Sequence, residues 1–282
     1  MASLVVRRLL IDLEAPFERH WNGGDAFRSA YFNALSMSFP VGEQFFIDSV
    51  RDGAKTLPSE RRARFDAEVQ GFVGQEATHR RIHALFNGRL AAQGHVNTWE
   101  SRILKRLELL KQIEDPLRRA RACVGITAAT EHFTAILAQH MLEHPQVVEG
   151  APERLQTMWL WHACEESEHR AVAFDMYRAM DGNEVWRRRW MRMVTFHFVT
   201  DVLRQTARNL WHDGELLRWR TWRSAFGFFF GKHGLVRHTF GPWRAYFRED
   251  FHPWQQDSRL ADEWLRQHAD AYSVVARVQP GA

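Results

Sequence analysis

Apolar residues recur every three to four positions along almost the whole chain, while runs that alternate strictly between apolar and polar residues are scarce. That rhythm predicts an all-α protein. The first long element runs from about Asp25 to Lys55, with a kink or interruption near Pro40, whose missing amide removes a bond back to the preceding turn. A second opens at Thr56 to Pro58 and reaches about Ala92, where Gly94 is a natural stop. A third runs from Pro116 to about Glu143, and a fourth from Pro152 to near Gly182. The connection from Gly94 to Pro116 is long enough to cross between two helical hairpins, and Trp99 to Ile113 within it has helical character.

Three of these helices carry ionisable residues where the stripe should be apolar. The second reads Phe65, Val69, Phe72, Glu76, His79, His83, Phe86, Leu90 down one face. The third reads Ala120, Val124, Thr127, Glu131, Thr134, Ala138, Met141, and the fourth Leu155, Met158, His162, Glu166, His169, Ala173, Met176. Solvated glutamates do not sit on such faces. Glu76 with His79, and Glu166 with His169, place a carboxylate and an imidazole one turn apart, so each pair can reach one ion. Composition alone produces about one Glu-x-x-His in a chain like this. A single copy would therefore carry no weight, and a third, Glu249 to His252 before Pro253, is read as chance.

Glu43 and Glu131 supply one glutamate from each of the other two helices. The order is Glu, Glu-x-x-His, Glu, Glu-x-x-His, with 33 residues from Glu43 to Glu76, 55 from Glu76 to Glu131 and 35 from Glu131 to Glu166. Two helical hairpins joined by a crossover give that spacing, as in a ferritin-like four-helix bundle. Buried carboxylates are costly unless paired or metal-bound, so the expectation is two metal ions held by Glu43, Glu76, His79, Glu131, Glu166 and His169. The competing reading is a buried ion-pair network. His83 and His162 lie on the same faces and fit three roles: ligand or substrate contact, partner of a ligand carboxylate, or core histidine. One of Glu165 and Glu168 fits an acceptor for a ligand imidazole, with at least one of the two expected as a solvated charge. His132 follows Glu131 by one residue and turns about 100° away.

At these residues the chain resembles a bacterial family described as predicted metal-dependent hydrolases, in the ferritin-like superfamily. The resemblance rests on Leu35-Ser36, Phe39 to Phe46, Gln75 to His79, Thr130 to His132, Trp161-His162, Glu165 to His169, Ala173 to Asp175, Tyr246-Phe247 and Phe251 to Trp254. It implies a metal-dependent hydrolase that activates water. The ligand chemistry itself suits two iron ions, with manganese or zinc as alternatives, and favours an oxygen-dependent oxidase, oxygenase or desaturase. That reading calls for an electron donor and a hydrophobic, lipid-like substrate.

Beyond Gly182 the pattern changes, because eight of the twelve tryptophans fall there, interleaved with arginines. Residues 1–182 are read as the metal bundle, and 183–282 as a helical extension packing on the bundle or on a membrane surface. Trp186 to Phe230 is the stretch expected to meet anionic lipid. The net charge of +4 is too small to argue for nucleic acid. Two cysteines, Cys123 and Cys164, without CxxC spacing argue against a disulfide framework or thiolate site and fit a reducing cytoplasm. Asp12 and Glu14 break any signal-peptide core after Val5 to Leu10, and no run is long enough to span a bilayer. Peripheral attachment to the inner membrane and a homodimer are left open.

Overall fold

The computed structural model describes residues 4–278, which are all α apart from one two-stranded sheet. Helix α1 (Ala26–Thr56) starts behind Asp25, whose carboxylate accepts the Arg28 amide at 3.0 Å. Helix α2 (Ser59–Ala92) stops before Gly94, whose φ of +89° is left-handed and free of strain only for glycine. Helix α3 (Trp99–Lys111) lies in the connection to α4 (Pro116–Glu143), which opens with proline behind the capping side chain of Asp115.

Two expectations need correction. Helix α1 runs through Pro40 without interruption, because the carbonyl its missing amide would have left bare finds another donor. Asn87 on α2 donates to the Ser36 carbonyl at 2.9 Å, and Asn97 donates to the neighbouring Met37 carbonyl at 2.7 Å. The fourth helix, conversely, breaks into α5 (Glu153–His169) and α6 (Val172–Ala179). There the guanidinium of Arg170 occupies the Ser167 carbonyl, an acceptor that a continuous helix would offer to the Ala171 amide.

Helices α1, α2, α4 and α5–α6 pack on one another and bring their polar faces together. Next come α7 (Glu184–His212), α8 (Trp219–Phe230), α9 (Leu235–Ala245) and α10 (Arg259–Gln267). Helix α7 lies along α1 and α4, so that Met191 and Val194 join Val124 and Phe133 in one apolar cluster. Val202 and Leu210 join Phe32 and Phe86 in the other. No helix of the described residues is long and apolar enough to cross a membrane.

The sheet pairs β1 (Leu4–Leu9) antiparallel with β2 (Tyr272–Val278). Helix periodicity says nothing of either strand, since each exists through its distant partner. Strand β1 crosses α2 at two glycines. A Cβ on Gly71 would stand 2.5 Å from the Cβ of Leu4, and one on Gly74 the same distance from a methyl of Val6. Only bare backbone lets the strand come that close.

Candidate metal centre

Glu43 comes from α1, Glu76 and His79 from α2, Glu131 from α4, and Glu166 and His169 from α5. All six are buried. Ligand atoms of Glu76, His79, Glu166 and His169 lie within 4.8 Å of one another, and those of Glu43, His83 and His162 form a second such group beside them. Nε2 of His169 stands 3.1 Å from Glu76, 3.4 Å from Glu131 and 3.7 Å from Glu166. Nδ1 of His79 is 3.5 Å from the same Glu166 oxygen.

Both carboxylate oxygens of Glu43, Glu76 and Glu131, one of Glu166, Nδ1 of His79 and Nε2 of His169 are buried with no hydrogen-bond partner. Every one of the six residues contributes such an atom. Stranded polar atoms cost about 1–3 kcal/mol each, more when charged, and so many in one place is what a set of cation donors presents to its ions. The electrostatics agree. Burial pushes Glu43, Glu76 and Glu131 up, Glu43 and Glu131 far above the usual carboxylate range, and neighbouring glutamates add to the rise. Burial also opposes ionisation of Glu166, but His169, His162 and His79 outweigh it and hold this carboxyl well below that range. Clustered carboxylates that raise one another call for positive charge between them.

The imidazoles are oriented from behind. His79 donates through Nε2 to Glu165 at 3.0 Å, which turns Nδ1 inward. Gln75 donates through Nε2 to the Val5 carbonyl and to Glu168, so its Oε1 must accept, and Nδ1–H of His169 supplies that proton at 2.9 Å. Nε2 of His169 therefore also faces the carboxylates. Arg7 on β1 ties both supports together, donating to Glu165 at 3.1 Å and to Glu168 at 2.7 and 2.8 Å. Glu165 thus serves as the expected acceptor, but Glu168 is no solvated charge. It is paired with an arginine that sequence periodicity could not bring there.

A second chain of bonds fixes His83 and His162. Asn87 gives its amide protons to the Ser36 carbonyl, so its oxygen accepts the Ser36 hydroxyl at 2.8 Å. Ser36 Oγ also lies 2.9 Å from Nδ1 of His83, and Nε2 of His83 lies 2.7 Å from Nδ1 of His162. The chain ends on Nε2–H of His162, which donates to the ionised Glu166 at 2.8 Å and lies 3.9 Å from Glu43. Burial, with His79 nearby, pushes His162 down to about 4, which keeps this ring neutral.

His132 points away, as its position implies, and donates to the Pro242 carbonyl at 3.0 Å between Tyr246 and Phe251. Burial pushes it down from its ordinary 6.5 to about 4. The unfolded ring takes up a proton first, so this contribution to stability is complete above pH 6.5 and is lost as pH falls toward 4. The loss is about 3 kcal/mol. His132→Gln, which can donate to the same carbonyl without titrating, is expected to flatten that part of the stability profile in urea titrations from pH 7 to 4. An unchanged slope would refute the assignment. His252 bonds to Asp175 at 2.8 Å, and Glu249 is exposed, so the third Glu-x-x-His stays outside the centre.

An apolar cavity of about 270 Å³ opens between α1, α3, α4 and α7. Phe39, Gly42 and Phe46, which flank Glu43, and Thr130 and Thr134, which flank Glu131, line it. Arg106 and Asp201, paired at 2.5 Å, are its charged members.

No curated protein and no solved structure is significantly similar to the chain. A family model described as predicted metal-dependent hydrolase matches residues 5–257, and the protein belongs to that family.

Proposed function

We propose that the protein is a metal-dependent hydrolase whose two ions are held by Glu43, Glu76, His79, Glu131, Glu166 and His169, acting on an apolar substrate. The observation that carries this reading is the convergence of buried, partnerless donors beside an apolar cavity, in a chain whose family is described as hydrolytic. Ions bound there would lower the pKa of water and polarise a carbonyl. The chain's own part is to position and to move a proton. Phe39, Phe46 and Thr134 hold an apolar chain against the glutamate side of the centre and exclude bulk water. Nε2–H of His162, hydrogen-bonded to Glu166, opens a hydrogen-bonded path through His83 to Ser36 along which a proton can pass.

One observation favours a second reading. The donors are carboxylate and imidazole only, a set that suits iron as well as zinc. A ferritin-like di-iron oxidoreductase would use it with dioxygen and an electron donor. The two readings separate on metal exchange, because zinc has no accessible redox change. Zinc-loaded protein is expected to cleave lipid-like esters under anaerobic conditions as fast as iron-loaded protein. Turnover that requires iron, reductant and dioxygen together would replace the hydrolase with the oxidoreductase.

The substrate's source follows from α8. Leu217, Trp219, Trp222, Phe226 and Phe230 are exposed, Trp219 by 79% and Phe226 by 68%, and from Trp219 onward they form one helical stripe. Arg218, Arg220 and Arg223 border it, and a second copy of the chain would set these arginines against their own kind. An anionic bilayer suits both features. The Trp186 end of the expected membrane stretch is different, since Arg187 is buried on the carbonyls of Tyr246 and Arg248. Wild-type protein is expected to float with phosphatidylglycerol vesicles at low salt, and the Trp222→Glu, Phe226→Glu variant to remain in solution. Equal flotation of the two would sink the idea.

A further inference from the structure

Four histidines outside the centre meet where α4 ends against the α8–α9 turn. His144 closes α4, His233 lies in the turn, and His140 and His238 face them from α4 and α9. Ligand atoms of His144, His233 and His238 lie within 4.8 Å of one another. The structure assigns to these three a second metal site, for a single zinc-like divalent ion, that clips the α8–α9 segment to the end of α4.

The spacing is that of ligands and not of a good hydrogen bond. Nε2 of His144 and Nδ1 of His238 are 3.4 Å apart, whereas a nitrogen hydrogen bond prefers about 2.9–3.0 Å. Two nitrogens bound to one tetrahedral zinc at about 2.0–2.1 Å lie about 3.3–3.4 Å apart. The outer atom of His238 agrees. Nε2 of His238 points at the Lys232 carbonyl at 3.5 Å, leaving Nδ1 for the shared space. His140 donates through Nε2 to the His233 carbonyl at 3.0 Å and so fixes the turn that carries the third imidazole. Metal-bound histidines are held through their other nitrogen in the same way.

The donor set makes the choice of ion. Three imidazoles with no carboxylate or thiolate among them disfavour calcium and magnesium, which take oxygen, and favour zinc, copper or nickel. Half-burial at His144 and His238, with His233 exposed, leaves a fourth position open to water. The consequence is mechanical. His144 belongs to the helix that carries Glu131, while His233 and His238 belong to the aromatic segment, so an ion here joins the two.

Calorimetric titration with zinc chloride tests this, on metal-replete wild type, His233→Ala and His238→Ala, and on Glu131→Ala, whose main centre is empty. Wild type and Glu131→Ala are each expected to take one equivalent at micromolar affinity and to melt at higher temperature with zinc than without it. Either histidine variant should lose that equivalent and that rise while its metal-free melting temperature stays put. His233 is an exposed turn residue whose loss leaves the fold intact. An equivalent that survives both histidine substitutions, or one absent from wild type, overturns the site.

Discussion

Glu131→Ala is expected to strip the protein of bound metal and to reduce turnover by at least a hundred-fold, without unfolding it. Even partners one step removed from an ion cost about 10–100-fold when lost, and Glu131 is placed closer than that. Both its oxygens are buried and without a hydrogen-bond partner, and one lies 3.4 Å from His169. Burial first, and Glu76 after it, push its carboxyl far up, so without a cation it is a liability to the fold. Alanine removes that liability. The metal-free variant should therefore melt at or above the temperature of the metal-free wild type, while elemental analysis finds less than one ion per chain. Full metal occupancy in the variant would remove Glu131 from the donor set. Normal occupancy with lost activity would recast it as a residue that meets substrate.

Arg7→Met should be the most damaging single change outside the centre. Its guanidinium sits between Glu165, which is fully buried, and Glu168, at 2.7 to 3.1 Å. Removing one member of a buried charge group leaves the others unpaired, at a cost of about 3–5 kcal/mol. The loss extends inward, because Glu165 orients His79, and Glu168 orients His169 through Gln75. Metal affinity should fall about 10–100-fold. Urea unfolding of the metal-free protein measures the first effect and a competitive chelator titration the second. If Arg7→Met binds metal as tightly as wild type, the chain from β1 to the imidazoles is only structural. A loss of stability below about 1 kcal/mol would deny the charge group itself.

What was legible in the sequence was whatever depends on one helix at a time. Glu76, His79, Glu131, Glu166 and His169 stand out because an apolar stripe continues on either side of each, and the structure turns those stripes to one place. Pro116, Pro152 and Gly94 mark helix limits for reasons local to the backbone. Contacts between distant segments were not legible. Arg7 looks like any basic residue near the start of a chain until β2 pairs with its strand. Gln75 precedes Glu76 and shows no role until Val5 and Glu168 fix its amide. Pro40 predicts a kink or an interruption, and the helix continues through it where Asn87, 47 positions further on, donates to the Ser36 carbonyl. The pairing of Glu168 is hidden for the same reason: at least one of Glu165 and Glu168 reads as solvated, because Arg7 belongs to an element with no periodic signature.

The pairing of β1 with β2 sets an order of events during synthesis. Arg7 leaves the ribosome early, but the strand that carries it has no partner until Tyr272–Val278 has been made. Up to that moment the sheet that helps hold Arg7 beside Glu165 and Glu168, behind His79 and His169, is incomplete. A nascent chain can coil its helices and still hold no ordered set of donors. Ordering of the candidate donors thus follows synthesis of Tyr272–Val278. Chains shortened to end before Tyr272 should accordingly accumulate as helical, metal-poor protein.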